Sequence, residues 1–223
     1  MSFNIAIDGP AGEGKSTIAK RVAKELSFIY VDTGAMYRAI ALYLIRSKVS
    51  PADQEALKKA CENIEITISY QNGEQQVILN GENITGLIRT EEVGNMASTA
   101  SAHSPVREKL LDLQRNLARN SDVLMDGRDI GTNVLPDAQL KIYLTASSAT
   151  RARRRYLELQ QKGEDCLLDE IERDIIERDQ RDMNRDIAPL KQAEDAILLD
   201  SSDMGIDQVV ERILTLYKER KGR

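Results

Sequence analysis

Apolar positions along the chain follow two periods. Phe3 to Asp8 is a short, largely apolar run suited to a buried strand. Past a glycine-rich stretch, Ile18, Val22 and Leu26 recur at four-residue spacing beside Ala19 and Ala23, which is one face of a helix. Phe28 to Val31 reads as a second strand and Tyr37 to Ile45 as a helix. The texture then changes. Ile64, Ile66 and Ile68 alternate with polar residues, as do Val77 and Leu79, with Asn72-Gly73 between the runs and Asn80-Gly81 after them. Alternation with Asn-Gly turns predicts antiparallel hairpins, so a β-rich island from roughly Ser50 to Arg89 interrupts the α/β pattern. Helical patterns return at Glu91 to Ala102 and Pro105 to Arg119. Val123 to Met125, Leu140 to Leu144 and Ala196 to Leu199 suit parallel strands buried on both faces. Thr150 to Gln161 and Asp169 to Arg185 are charged helices, and Ile206 to Tyr217 is amphipathic. The prediction is one three-layer α/β domain with about five parallel strands and a β-rich insert.

Composition narrows the function classes. The chain has 223 residues, 41% hydrophobic and 30% charged, which suits a folded soluble protein with a sizeable core. No apolar run approaches the ~20 residues of a membrane span. Asn4 and Asp8 break the first apolar stretch, so no signal peptide is expected there. Two distant cysteines, Cys61 and Cys166, and a single histidine, His103, argue against disulfides and zinc and for a reducing, cytoplasmic setting. A net charge of −5 disfavours nucleic acid as a partner. Any anion site must come from local basic clusters.

One such site is spelled out early. Gly9-Pro10-Ala11-Gly12-Glu13-Gly14-Lys15-Ser16 matches G-x-x-x-x-G-K-[ST] between a predicted strand and a predicted helix. Glycines let successive N–H groups turn inward around phosphate oxygens, and the helix N-terminus adds its dipole. Lys15 is placed to reach the β- and γ-phosphates and Ser16 to ligate Mg²⁺. Glu13 sits awkwardly there, because a carboxylate repels polyphosphate unless its side chain points outward.

Phosphate loops serve GTPases, ATPases and small-molecule kinases alike. The chain lacks the Asn-Lys-x-Asp element that reads guanine, and it lacks a motor-type strand ending in Asp beside Glu. It does carry four arginine clusters, as joining two phosphorylated substrates requires. Asp32-Thr33-Gly34-Ala35-Met36-Tyr37-Arg38 follows the second strand. There Arg38 fits an acceptor phosphate; alternatively Asp32 or Thr33 caps a helix and Arg38 is solvated. Asp126-Gly127-Arg128-Asp129-Ile130-Gly131 ends the third strand, either as a loop built around a ligand or as an ordinary loop ion pair. Arg151, Arg153, Arg154 and Arg155 follow the candidate cap Ser147-Ser148. Basic residues there oppose the macrodipole, which fits a visiting anion and a lid hinged at Gly163, or else a solvated face. Arg178, Arg181, Asp182 and Arg185 share one helix face. They fit a phosphate clamp whose carboxylate reads a base, or a surface ladder with Asp174–Arg178 and Glu177–Arg181 pairs.

With these motifs located, the chain resembles the bacterial cytidylate kinases of the nucleoside-monophosphate kinase family over essentially its full length. The resemblance rests on Ile7-Asp8-Gly9-Pro10-Ala11-Gly12, on Asp32 to Arg38, on Asp126 to Thr132, and on Glu177-Arg178-Asp179 with Arg181-Asp182 and Asn184-Arg185. It implies phosphoryl transfer from ATP, with Mg²⁺, to CMP or dCMP. It implies a core (1–31, 106–149 and 166–223), a monophosphate-binding insert over about 32–105 and a lid over about 150–165. Lys15, Arg128, Asp129, Arg151 and Arg155 form the implied catalytic set. ATP would meet Gly9 to Thr17 with Arg153 and Arg154. The acceptor would meet Asp32, Thr33, Tyr37, Arg38 and Arg178, with Arg185 toward its sugar, while Ser98 and Asp182 read cytosine with Arg107 nearby. Glu13 replaces the small residue common at its position. Nothing in the sequence demands a dimer, so a monomer is expected, with no nucleic acid and no membrane as partner.

Overall fold

The computed structural model describes residues 2–222. Strands β1 (Asn4–Asp8), β2 (Ile29–Asp32), β6 (Val123–Gly127), β7 (Leu140–Thr145) and β8 (Ile197–Asp200) form one sheet in the order β2-β6-β1-β7-β8, with every pairing parallel. Alternate residues of these strands face opposite layers. Ile5, Ile7, Leu124, Leu140 and Ile142 pack with α1 (Lys15–Leu26) and α8 (Ile206–Lys221). Ala6, Val31, Val123 and Met125 pack on the other side with α2 (Thr33–Arg46) and α5 (Ser104–Arg119). Burial on both faces is why β1, β6 and β7 read as continuous apolar runs, whereas β8, at the sheet's edge, leaves Leu198 57% exposed and is not the doubly buried strand its sequence predicts.

The β-rich island is a small antiparallel sheet of β3 (Ile66–Gln71), β4 (Glu74–Leu79) and β5 (Glu82–Asn83). Both Asn-Gly pairs take positive φ, 53° and 79° at Asn72-Gly73 and 48° and 84° at Asn80-Gly81, the geometry of tight hairpin turns. The hairpin docks on the edge strand of the main sheet. Gln75 accepts from Asp32 N at 2.8 Å and donates to Asp32 O at 3.1 Å, and Tyr70 donates to Tyr30 O at 3.1 Å. An otherwise open edge is thereby covered. The island is not β throughout, however. Its first part is α3 (Gln54–Glu62), capped by Asp53 and buried through Leu57, Ala60 and Cys61. These three positions are a helical repeat too short to stand out beside the alternation that follows. Helix α4 (Glu91–Ala100) completes this side.

The remaining helices, α6 (Ser148–Gln161) and α7 (Leu168–Asn184), pack on one another. Ser147 caps α6 by accepting from Thr150 N at 3.1 Å, the capping role expected of the serine pair. After β6 the chain makes a π-helical turn, Ile130–Val134, where the sequence predicts only a loop. Its cause is Asp8, the last residue of β1. Asp8 accepts from Ile130 N at 2.8 Å and Gly131 N at 2.7 Å and pins the turn's first amides.

Every main strand ends at one edge, where Asp8 lies beside Gly127 and Tyr143 and Asp32 beside Asp126. Ligands of open parallel sheets bind outside this carboxyl edge. Gly9 makes the turn there, with φ 153° and so little room that a Cβ would lie 2.0 Å from the Leu144 carbonyl oxygen. Gly9→Ala should cost about 3 kcal/mol or more and lower the melting temperature by roughly 8 °C, read by thermal unfolding. A melting temperature within 2 °C of wild type would refute the close packing.

Candidate active site

A cavity of about 280 Å³ runs from the loop between β1 and α1 toward α4, α5 and α7. Seven cationic side chains and five carboxylates line it, in a protein whose overall charge is negative. The loop end is built by Gly14, which caps α1 with φ 73°, and by the first turn of α1, where Lys15, Ser16 and the exposed Thr17 lie. Lys15 donates to the Pro10 carbonyl. Burial, followed by the nearby Arg128 guanidinium, brings its ammonium down to about 7. Ser16 donates to Asp126 at 3.0 Å and Tyr30 donates to the same carboxylate at 2.8 Å. Burial, then the charge of Asp32, pushes Asp126 up to about 6.

Guanidinium groups dominate the middle. Arg38 donates to Ile88 O at 3.0 Å and Thr90 O at 3.2 Å, and burial, then Arg89, lowers its pKa. Asp32 does cap α2, accepting from Ala35 N at 2.9 Å, and also pairs with Arg89. Thr33 spends its hydroxyl on Asp126 O at 2.7 Å. Arg128 donates through Nε to Asp182 at 3.0 Å. Arg178 Nε is buried with no hydrogen-bond partner. Its own burial, then the repulsion of Arg128, lowers Arg178 to about 10.

The far end is an ordered polar cluster. Asp129 pairs with Arg107, lies 3.5 Å from Arg185 and accepts from Asn133 at 3.1 Å. Arg107 also donates to Ser101 O at 3.2 Å and stacks over Tyr37 at 5.5 Å. Arg185 donates to Ser101 Oγ at 3.2 Å and Ala188 O at 2.7 Å. Ser98 Oγ and Arg107 Nε are buried without partners.

The cavity thus brings together Ala11 to Thr17 of the loop, but not Gly9 or Pro10, with Asp32, Thr33, Tyr37, Arg38, Ser98, Arg107, Arg128, Asp129, Arg178, Asp182 and Arg185. The basic run on α6 stands outside it. Arg153 is exposed, Arg154 is held by Ser201 O at 2.6 Å and Met204 O at 3.2 Å, and Arg155 pairs with Glu158 at 3.0 Å. Arg151 is buried behind the loop, every arm of its fork engaged by protein. Arg181 is exposed off the cavity, and neither Asp174–Arg178 nor Glu177–Arg181 pairs among the described residues, so the surface ladder does not form. Glu13 does not point outward: it is buried and accepts from Ala146 N at 2.8 Å. Arg89, Ser101 and Asp126 line the cavity without having been singled out; Asp126 lay within a quoted motif, whereas Arg89 closes the island with no local signal.

The sequence profile described as "Cytidylate kinase" matches residues 5–219. The chain belongs to the cytidylate kinase family. The cytidylate kinase of Caldicellulosiruptor bescii is 50% identical over 219 residues, spanning 96% of this chain and 95% of that one. The one from Shouchella clausii is 49% identical over 217 residues, spanning 97% and 96%. An uncharacterized protein from Eubacterium ventriosum shares the fold, with a TM-score of 0.55, 12% identity and full coverage of both chains. No helix among the described residues is long and apolar enough to cross a membrane.

In this member of the cytidylate kinase family, a half-buried guanidinium whose buried Nε is bare costs stability while no anion is bound. Arg178→Met should therefore raise the stability of the nucleotide-free protein by about 1 to 2 kcal/mol in urea unfolding. A loss of stability would show that Arg178 is already satisfied by the protein.

Proposed function

We propose that this protein transfers the γ-phosphoryl group of ATP to CMP or dCMP, giving CDP or dCDP and ADP. The observation that carries this reading is one continuous cavity. It joins the phosphate loop to unpaired guanidinium charge, and that charge to a buried donor–acceptor edge at the far end. Phosphoryl transfer needs little covalent help from protein; it needs alignment and neutralised charge. The loop and Lys15 would hold the β- and γ-phosphates, which restore the full charge of the buried ammonium. Arg38, Arg128 and Arg178 would hold the acceptor phosphate.

Mg²⁺ fits the residues present. Ser16 Oγ and Asp126 Oδ2 lie 3.0 Å apart, both are hard oxygen donors, and a cation would keep the buried Asp126 ionised. Ser16 and Asp126 would hold it, and when bound it withdraws charge from the phosphate oxygens. The division into a core, an insert over about 32–105 and a lid over about 150–165 is part of the same reading. It is supported by the separate β3–β5 sheet and by Gly163 with φ 75° just after α6.

Cytosine presents an amino donor beside the N3 acceptor, and uracil inverts both. Asp129 beside Arg107 offers an acceptor next to a donor, with the unpartnered Ser98 hydroxyl in the same cavity. Both aspartates are paired, but Asp182 holds Arg128, the arginine whose charge bears on Lys15, whereas Asp129 holds Arg107 and Arg185 at the far end. We therefore assign cytosine reading to Ser98, Arg107 and Asp129, and to Asp182 the placing of Arg128. A coupled ADP-release assay across CMP, dCMP, UMP and AMP tests the function: CMP and dCMP should be turned over far faster than AMP. Lys15→Met should lower kcat at least ~100-fold. Activity on none of the four, or normal turnover by Lys15→Met, would overturn the reading. Asp182→Asn should lose kcat while keeping the preference for CMP over UMP, and Ser98→Ala should erode that preference. The reverse pattern would return the reading of the base to Asp182.

A further inference from the structure

Behind the phosphate loop lies a second set of charges, of which Glu13 borders the cavity while Arg151 and Asp179 do not. Ala11 donates its N–H to Asp179 of α7 at 3.4 Å, and its carbonyl accepts from Arg151 of α6 at 2.9 Å. Asp179 pairs with the same arginine at 2.6 Å. Glu13 reaches back from the loop, accepting from Ala146 N at 2.8 Å and lying 3.3 Å from Arg151 Nε, which also donates to Ala146 O at 3.1 Å. Gly12, between them, packs on the same helices: a Cβ there would be in ordinary contact with Arg151, at 3.6 Å, and with Ile175 of α7, at 3.8 Å. Two carboxylates thus flank one guanidinium in a buried ring. Burial pushes Glu13 up to about 7, while Lys15 and then Arg151 draw it down.

A carboxylate beside a polyphosphate site is unfavourable by charge alone, so its place here needs a compensating use. We propose that Glu13 and Asp179, acting through Arg151, are positioning residues that latch the 11–13 arm of the phosphate loop to α6 and α7, so that these helices set the loop's shape for ATP. The proposal rests on ATP being the donor. Each nitrogen of the Arg151 fork already meets a protein oxygen, of Ala11, Ala146, Glu13 or Asp179, and the side chain is buried outside the cavity. The latch leaves the inward-facing amides of the loop to the phosphates.

Two substitutions separate the latch from the charge. Both Glu13→Gln and Glu13→Ala remove the negative charge, but only Gln keeps an acceptor for Ala146 N. Calorimetric titration of ATP reads the difference without any turnover, so it stands apart from the assay of the acceptor. Glu13→Gln should bind ATP at least as tightly as wild type. Glu13→Ala should bind it about five- to tenfold more weakly than Glu13→Gln, the range of one hydrogen bond to a buried group, while both bind CMP alike. Arg151→Lys keeps the charge and loses the fork, so it should weaken ATP binding too. The double variant Glu13→Ala, Arg151→Lys should be no weaker than Arg151→Lys alone, since both break one latch. Equal ATP affinity in Glu13→Ala and Glu13→Gln, or effects that multiply in the double variant, would overturn the proposal. If Glu13→Ala does not fold, Arg151→Lys against wild type decides, and unchanged ATP affinity overturns it.

Discussion

Guanidinium groups crowded into a cavity without matching counter-charges are the constraint on which this site turns. Arg178 is the clearest case: it is half-buried, its Nε is fully buried and bare, and Arg128 repels it. An unpaired buried charge is a cost that folding must offset elsewhere. Here the two hydrophobic layers on either face of the parallel sheet supply the offset. The same charge, unfavourable while the cavity is empty, favours phosphorylated ligands when they arrive, and a desolvated site makes each contact stronger than it would be in water.

Holding that charge in place falls to carboxylates paired with the arginines. Asp182 fixes Arg128, Asp129 fixes Arg107 and Arg185, and Asp32 pairs with Arg89 while capping α2. Asp8 pins the π-helical turn, so the donor loop that begins at Gly9 and the loop bearing Arg128 and Asp129 are set by one residue at the end of the central strand. Glu13 and Asp179 do the same work behind the phosphate loop. Paired in this way, each arginine keeps its fork rigid and presents only the remaining donors to the cavity.

Much of the layout was legible because its causes are local. Strands buried on both faces leave continuous apolar runs, Asn-Gly pairs force hairpins, and a phosphate loop carries its spacing in eight residues. The short helix Gln54–Glu62 escaped because only Leu57, Ala60 and Cys61 mark its buried face. The π-helical turn escaped because Asp8, more than a hundred residues away, makes it. In the site, the four motifs named most cavity residues but not which way each pointed. Arg151 and Arg178 both looked like phosphate ligands. Only packing shows that the first is consumed by Ala11, Glu13 and Asp179 while the second is left free. Arg89 carried no motif and became visible only when the hairpin brought it beside Asp32.

We propose that the uncompensated arginines, Arg178 above all, serve to bind a phosphoryl group. A crystal structure with CMP and a non-hydrolysable ATP analogue bound together tests it most directly. A phosphate oxygen is expected within about 2.7 to 3.2 Å of an Arg178 nitrogen, with Arg38 and Arg128 on the same group and the cytosine edge against Arg107 and Asp129. A ternary complex in which Arg178 remains without an anion, or takes a protein carboxylate instead, would contradict it.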